Sequence, residues 1–274
     1  MPQSLKTYEF GGKVVYSPNG KTQIGKVDYL RYDDLGREIL KWIRIKFRGN
    51  ECIKTDPADA QSRGEPIWEG TILLEGAVSS ALDSLGITNI HTATPEQVMG
   101  VMRSQNFEDV KKTENYFGVV ITGNRADPEK DRYLYANVPY ANHLVEQAGI
   151  PEEMLPVAMF QLRSVPDSSY ETGVRLDFVE GKSIWLPAPA FRIKTNEVPE
   201  YFTSDKTRSI EQILGDNGEI LYIAVENIIR VCKPLRHWGL SALVRKGNNE
   251  LDTNDYLRRK FIDMEGRVLL GFKK

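Results

Sequence analysis

Pro166-Asp167 is followed, thirteen residues after the aspartate, by Glu180-Gly181-Lys182. Two carboxylates can hold Mg²⁺ at a scissile phosphate, and a lysine beside them can orient or activate the attacking water. Glu180 and Lys182 are two apart, so on a strand both side chains would point to one face. The same residues also make turn text. Gly181 weakens a strand interior, and Glu-Gly-Lys falls between "VRLDFV" and "SIWLPA", where a hairpin tip is expected. The turn signal decides the reading. Glu180 and Lys182 are expected at an exposed tip, with no catalytic set and no cofactor.

The alternative is a Mg²⁺-dependent nuclease built on Asp167, Glu180 and Lys182, with Mg²⁺ required only in that case. It rests on a resemblance over about twenty residues to the P-D…(D/E)-x-K signature of the restriction-endonuclease-like nucleases. No other catalytic set forms. His91, His143 and His237 stand apart, with no His-x-x-x-His or Cys/His cluster, and no Gly-x-Ser-x-Gly elbow or Rossmann glycine pattern occurs. Gly20-Lys21-Thr22 invites comparison with a phosphate-binding loop, but Val15 stands where that loop needs glycine.

A second stretch points to assembly. "NVPYANHLVEQAG", residues 137–149, reads as a helix closed by Gly149, with Tyr140, Leu144 and Val145 facing a core. It resembles the V-P-Y-A…E…G segment of small neck and tail-completion proteins of tailed bacteriophages. The resemblance implies that Tyr140 packs this helix onto a sheet and that Glu146 lies near a subunit contact, with Ala141 and Gly149 also matching. This chain is longer than those proteins and carries extra β-rich segments.

Charge distribution agrees with that direction. The net charge is −2, too little for a protein that holds nucleic acid mainly by counting phosphates. Residues 230–274 nevertheless carry +6, which leaves −8 on residues 1–229. Arg236, Arg245, Lys246, Arg258, Arg259 and Lys260 belong to that basic region, and an acidic body facing it on another copy would join subunits head to tail. The expected function is therefore a non-enzymatic structural or interaction protein forming a homo-oligomer, a virion component such as a neck, tail or baseplate subunit. Its partners would be other copies of itself and other assembly proteins. A nucleic-acid-binding module without catalysis is the remaining alternative. The apolar runs are too short to span a bilayer, the first residues show no secretory signal, and Cys52 and Cys232 have no metal or redox spacing. A cytoplasmic or virion location follows as the expectation.

The elements expected to position these residues give an α+β fold, predominantly antiparallel β in a barrel or sandwich, with a few short helices packed on the sheet. Residues 1–75 are expected to form a β-meander region with a long loop, residues 76–160 a helix-containing middle, and residues 161–274 a β-rich region able to form one domain with the first. Ser17-Pro18-Asn19-Gly20 marks a hairpin. Asp33-Asp34-Leu35-Gly36 is read as a turn into a third strand, with Ile39, Ile43, Ile45 and Phe47 on one face. Residues 49–75 read as a long loop followed by a short strand. Thr94-Pro95-Glu96-Gln97 is a capping-box helix start. "YLRYDDLGREIL" and "YLRRKFIDMEGRVLL" share a grammar, read as one hairpin solution used twice.

Overall fold

The computed structural model describes residues 5–17, 19–50, 53, 72–107, 115–122, 138–154, 157–170, 172–187, 239–244 and 267–272. The chain opens on the expected hairpin. β1 (Lys13–Tyr16) and β2 (Gln23–Tyr29) pair antiparallel, and Ser17 N–H donates to Thr22 O at 2.7 Å across the turn.

The third strand of the expected meander is a helix, α1 (Asp34–Lys46). Asp33 is its N-cap and accepts from Gly36 N–H at 2.8 Å, so the Asp-Asp pair starts a helix and does not turn a hairpin. Leu35, Ile39, Leu40, Ile43 and Phe47 are buried at helical spacing, whereas Ile45 is 71% exposed. The short strand expected at the end of 49–75 is likewise replaced by helix. α2 (Ile72–Ser84) is buried from Ile72 through Ser79 and again at Ala81 and Leu82. Most of the preceding loop lies outside the described residues.

β3 (Ile90–Thr92) leads into α3 (Pro95–Arg103), which carries the expected capping box: Gln97 N–H donates to Thr94 Oγ1 at 3.2 Å and Thr94 N–H to Gln97 Oε1 at 3.1 Å. β4 (Asn115–Thr122) is followed by α4 (Val138–Gln147), the helix expected from "PYANHLVEQ". Gly149 has φ +61°, and Ile150 N–H reaches back to Val145 O at 3.1 Å, a glycine-dependent helix stop. β5 (Val157–Phe160), β6 (Arg163–Pro166), β7 (Val174–Asp177), β8 (Ile184–Pro187), β9 (Gly239–Val244) and β10 (Arg267–Phe272) complete the described strands.

The main sheet runs β1-β2-β10-β4-β5-β8, with β3 also on β10 and β9 also on β4; β6 and β7 form a separate hairpin. Most pairings are antiparallel, but β4 runs parallel to both β9 and β10. The α+β expectation holds. The barrel does not: among the described residues the sheet is open, ending at β1 and β8. The echoed segments also part company: "GREIL" lies in α1 and "RVLL", residues 267–270, in β10.

α2 occupies the centre, packed by β6, α1, β3, β4 and β7. An N-terminal strap runs beside its end, where Lys6 N–H donates to Gly86 O at 2.9 Å and the Asn89 side-chain amide donates to Tyr8 O at 2.7 Å. Phe10 stacks on Phe272 with centroids 5.9 Å apart, tying the strap to the last strand. β6 approaches α2 closely because residue 76 is glycine; a Cβ there would lie 2.5 Å from Ser164 Oγ and 3.0 Å from Ser164 N. Alanine would gain about 1 kcal/mol of helix propensity, but the contact includes strand backbone, and overpacking costs about 1–3 kcal/mol. Gly76→Ala is therefore expected to lower the urea midpoint with an unchanged m-value; a rise in the midpoint would contradict this packing.

Candidate functional site

The sequence motif does not assemble. Asp167 N–H bonds to Gly173 O at 3.0 Å, which fixes the aspartate at the entry to β7. Glu180 lies three residues beyond the exit of the same strand, exposed in a tight turn. There Gly181 has φ +75° and Ser183 N–H donates to Val179 O at 2.7 Å. β7 thus separates the two carboxylates. Lys182 reaches the end of α2 and pairs with Asp83 at 3.0 Å. Among the described residues no group of three or more His, Cys, Asp or Glu side chains could hold a metal ion.

Asp167 belongs instead to a network that joins the β6–β7 hairpin to α4. Arg175 Nη1 donates to Asp167 Oδ2 at 2.7 Å, while its Nε and Nη2 make a bidentate pair with Asp177 at 2.7 and 3.0 Å. His143, on α4, bonds through Nε2 to Asp177 Oδ1 at 2.8 Å. Ser169, through its hydroxyl and its N–H, holds the Asp167 carboxyl below the usual carboxylate range, and Arg175 adds to the effect. Burial pushes Asp177 up, but Arg175 and His143 more than offset it and hold its carboxyl low.

Tyr140 and Glu146 show how α4 is oriented. Tyr140 is buried; its hydroxyl bonds to Thr172 and donates to Val174 O at 2.9 Å, so the ring and the hydroxyl both pin α4 to β7. Tyr170 stacks at a tilt on Tyr140, with centroids 4.8 Å apart. Burial pushes the Tyr170 hydroxyl up; Arg175 opposes this, and Asp167, Asp177 and Glu146 add to it. Glu146 itself is exposed. Arg236, Arg245, Lys246, Arg258, Arg259 and Lys260 fall either outside the described residues or outside those positions with a described side chain.

One cluster escaped the sequence reading. Glu75, in the first turn of α2, is 1% exposed, and neither carboxyl oxygen closes a hydrogen bond of normal geometry. The polar groups nearby are engaged elsewhere. Ser79 Oγ and Thr92 Oγ1 bond each other at 2.9 Å, and Gln161 Nε2 donates to Thr92 O at 2.5 Å. Gln161 has φ +56°, an uncommon backbone state for a non-glycine residue, and Ser183 Oγ donates to its carbonyl at 2.9 Å. Arg163 is committed to Asp83 at 2.7 Å. The sequence signal was available: Glu75 is the single acid in the apolar run "ILLEGAVSSAL".

No described helix is long and apolar enough to cross a membrane. Compared with protein-family models, with curated proteins and with solved structures, the chain matches none.

The hairpin network has a testable pH signature. Asp177→Asn removes the shared acceptor of Arg175 and His143 and is expected to cost about 1–3 kcal/mol near neutral pH. Because the folded carboxyl is held below the ordinary 3.8, this contribution is present above that value and lost as pH falls through the lower folded value. Urea melts of the two proteins should therefore converge in acid; a gap that persists unchanged below the carboxylate range would show that the ion pairs are not its source.

Proposed function

We propose that this protein is a non-enzymatic structural subunit that assembles as a homo-oligomer, serving in the virion of a tailed bacteriophage as a neck, tail or baseplate component. The observation that carries the reading is the arrangement of α4. Tyr140 is turned inward and anchors the helix to β7, while Glu146 on the same helix is exposed. That is the division of labour implied by the resemblance of residues 137–149 to the phage proteins, with the tyrosine as the packing residue and the glutamate at the contact.

Charge supplies the complement. The body up to residue 229 carries −8, and the region from 230 onward carries +6. Asp167 and Asp177 are partly neutralised by Arg175, whereas the exposed Glu146 carboxylate on α4 is offered to the neighbouring copy. A basic segment of a neighbouring copy placed there makes a heterologous contact, which propagates around a ring and does not stop at a dimer. The attraction is between exposed charges and is screened by salt.

Light scattering coupled to size exclusion is expected to give a discrete oligomer at micromolar concentration that shifts toward monomer as salt rises. Glu146→Lys should weaken assembly at low salt while leaving the melting temperature of the monomer nearly unchanged, since surface substitutions are usually within about 0.5 kcal/mol. A wild-type chain that remains monomeric at every concentration and salt level removes the proposal.

A further inference from the structure

We propose that Glu75 is a proton-operated catch on the central helix: the enclosed helix holds the carboxyl in its neutral form, and opening the seam between α2 and the β3–β6 side releases that proton. The seam is built from named contacts. Ser164 of β6 donates to Leu73 O at 2.7 Å, Ser80 of α2 donates to Ser164 O at 2.9 Å, and Gly76 lets the two backbones meet. Glu75 sits between these contacts in sequence, with its carboxyl enclosed and neither oxygen closing a hydrogen bond of normal geometry. Enclosure without a well-formed hydrogen bond disfavours the ionised carboxylate at this position.

The groups facing it cannot take up a negative charge where they stand. Thr92 and Ser79 satisfy each other. From β6 comes Arg163, whose positive charge acts on Glu75 but whose guanidinium is bonded to Asp83 and to the Gln161 carbonyl. From β3 comes His91, held through Nδ1 near the Thr92 carbonyl and the Gln161 amide. On α2 itself the other acid is Asp83, occupied by Arg163 and Lys182. β4 contains no charged residue. β7 directs Arg175 and Asp177 to each other, and α1 turns Ile39, Leu40 and Ile43 inward while Glu38 is bonded to Lys6 and Tyr8.

Burial is the largest influence on Glu75 and pushes its carboxyl from 4.5 up to about 8; Thr92 and Arg163 only partly oppose it. Between those values the closed chain holds a proton that an opened α2 has given up. Closure therefore weakens as pH rises through this window and changes no further above about 8.

The test is hydrogen exchange on the full chain, corrected for intrinsic rates, comparing wild type with Glu75→Gln, which keeps the shape and cannot ionise. In wild type the protection of α2 and β6 amides is expected to fall by up to about tenfold per pH unit from pH 6 toward 8, then level off. In Glu75→Gln it should stay flat over the same range. Should the glutamine variant fail to fold, Glu75→Met serves as the non-ionising comparison. A flat wild-type profile, or the same slope in a folded non-ionising variant, overturns the proposal.

Discussion

A helix that is apolar on every side must be covered on every side, and that requirement organises this molecule. α2 presents no polar stripe to water: its first eight residues are all buried. No single sheet can enclose a helix, so the cover comes from several directions at once, with α1, the β6–β7 hairpin and strands of the main sheet each taking a side. The last strand of the chain, β10, is inserted between β2 and β4, so the covering sheet is incomplete until the C-terminal end has joined the N-terminal hairpin. Such pairings are distant in sequence and bear a loop-closure cost before any contact is gained. The enclosed helix is what offsets that cost.

The same requirement explains what could be read from the sequence and what could not. The β1–β2 hairpin, the capping box of α3, the glycine stop of α4 and the Gly181 turn each depend on residues within about five positions of one another, and all four were legible. α1 was not. Leu35, Ile39, Ile43, Ile45 and Phe47 fit a strand's alternation, and it is buried Leu40 and exposed Ile45 that show the period is helical. Asp33 added to the confusion, since an aspartate that starts a turn and one that caps a helix look alike in text. α2 was illegible for a deeper reason: amphipathic periodicity reports a boundary with water, and a helix without that boundary carries no period to detect.

The fate of the Asp167–Glu180–Lys182 set follows from local geometry more than from chemistry. Residue types and spacing matched a metal site, but the chain turns at Gly173, with φ +69°, into β7, which holds Asp167 and Glu180 at its opposite ends. Each charged side chain then finds a structural partner nearby. Asp167 takes Arg175, and Lys182 takes Asp83 together with Arg163. The pairs near the hairpin are only partly exposed and include a bidentate contact, so they are worth more than ordinary surface bridges of about 0–1 kcal/mol.

Asp177 and Glu75 show how far the surroundings decide what a carboxylate does. Both are acids on regular elements adjoining the core, and they are driven in opposite directions. Two donors aimed at Asp177, from Arg175 and His143, keep it charged despite burial, which makes it a fixed point joining β7 to α4. At Glu75 burial outweighs the opposing influence of Thr92 and Arg163 and favours the neutral acid. Negative charge is thus retained where donors meet it and suppressed where burial would leave it desolvated.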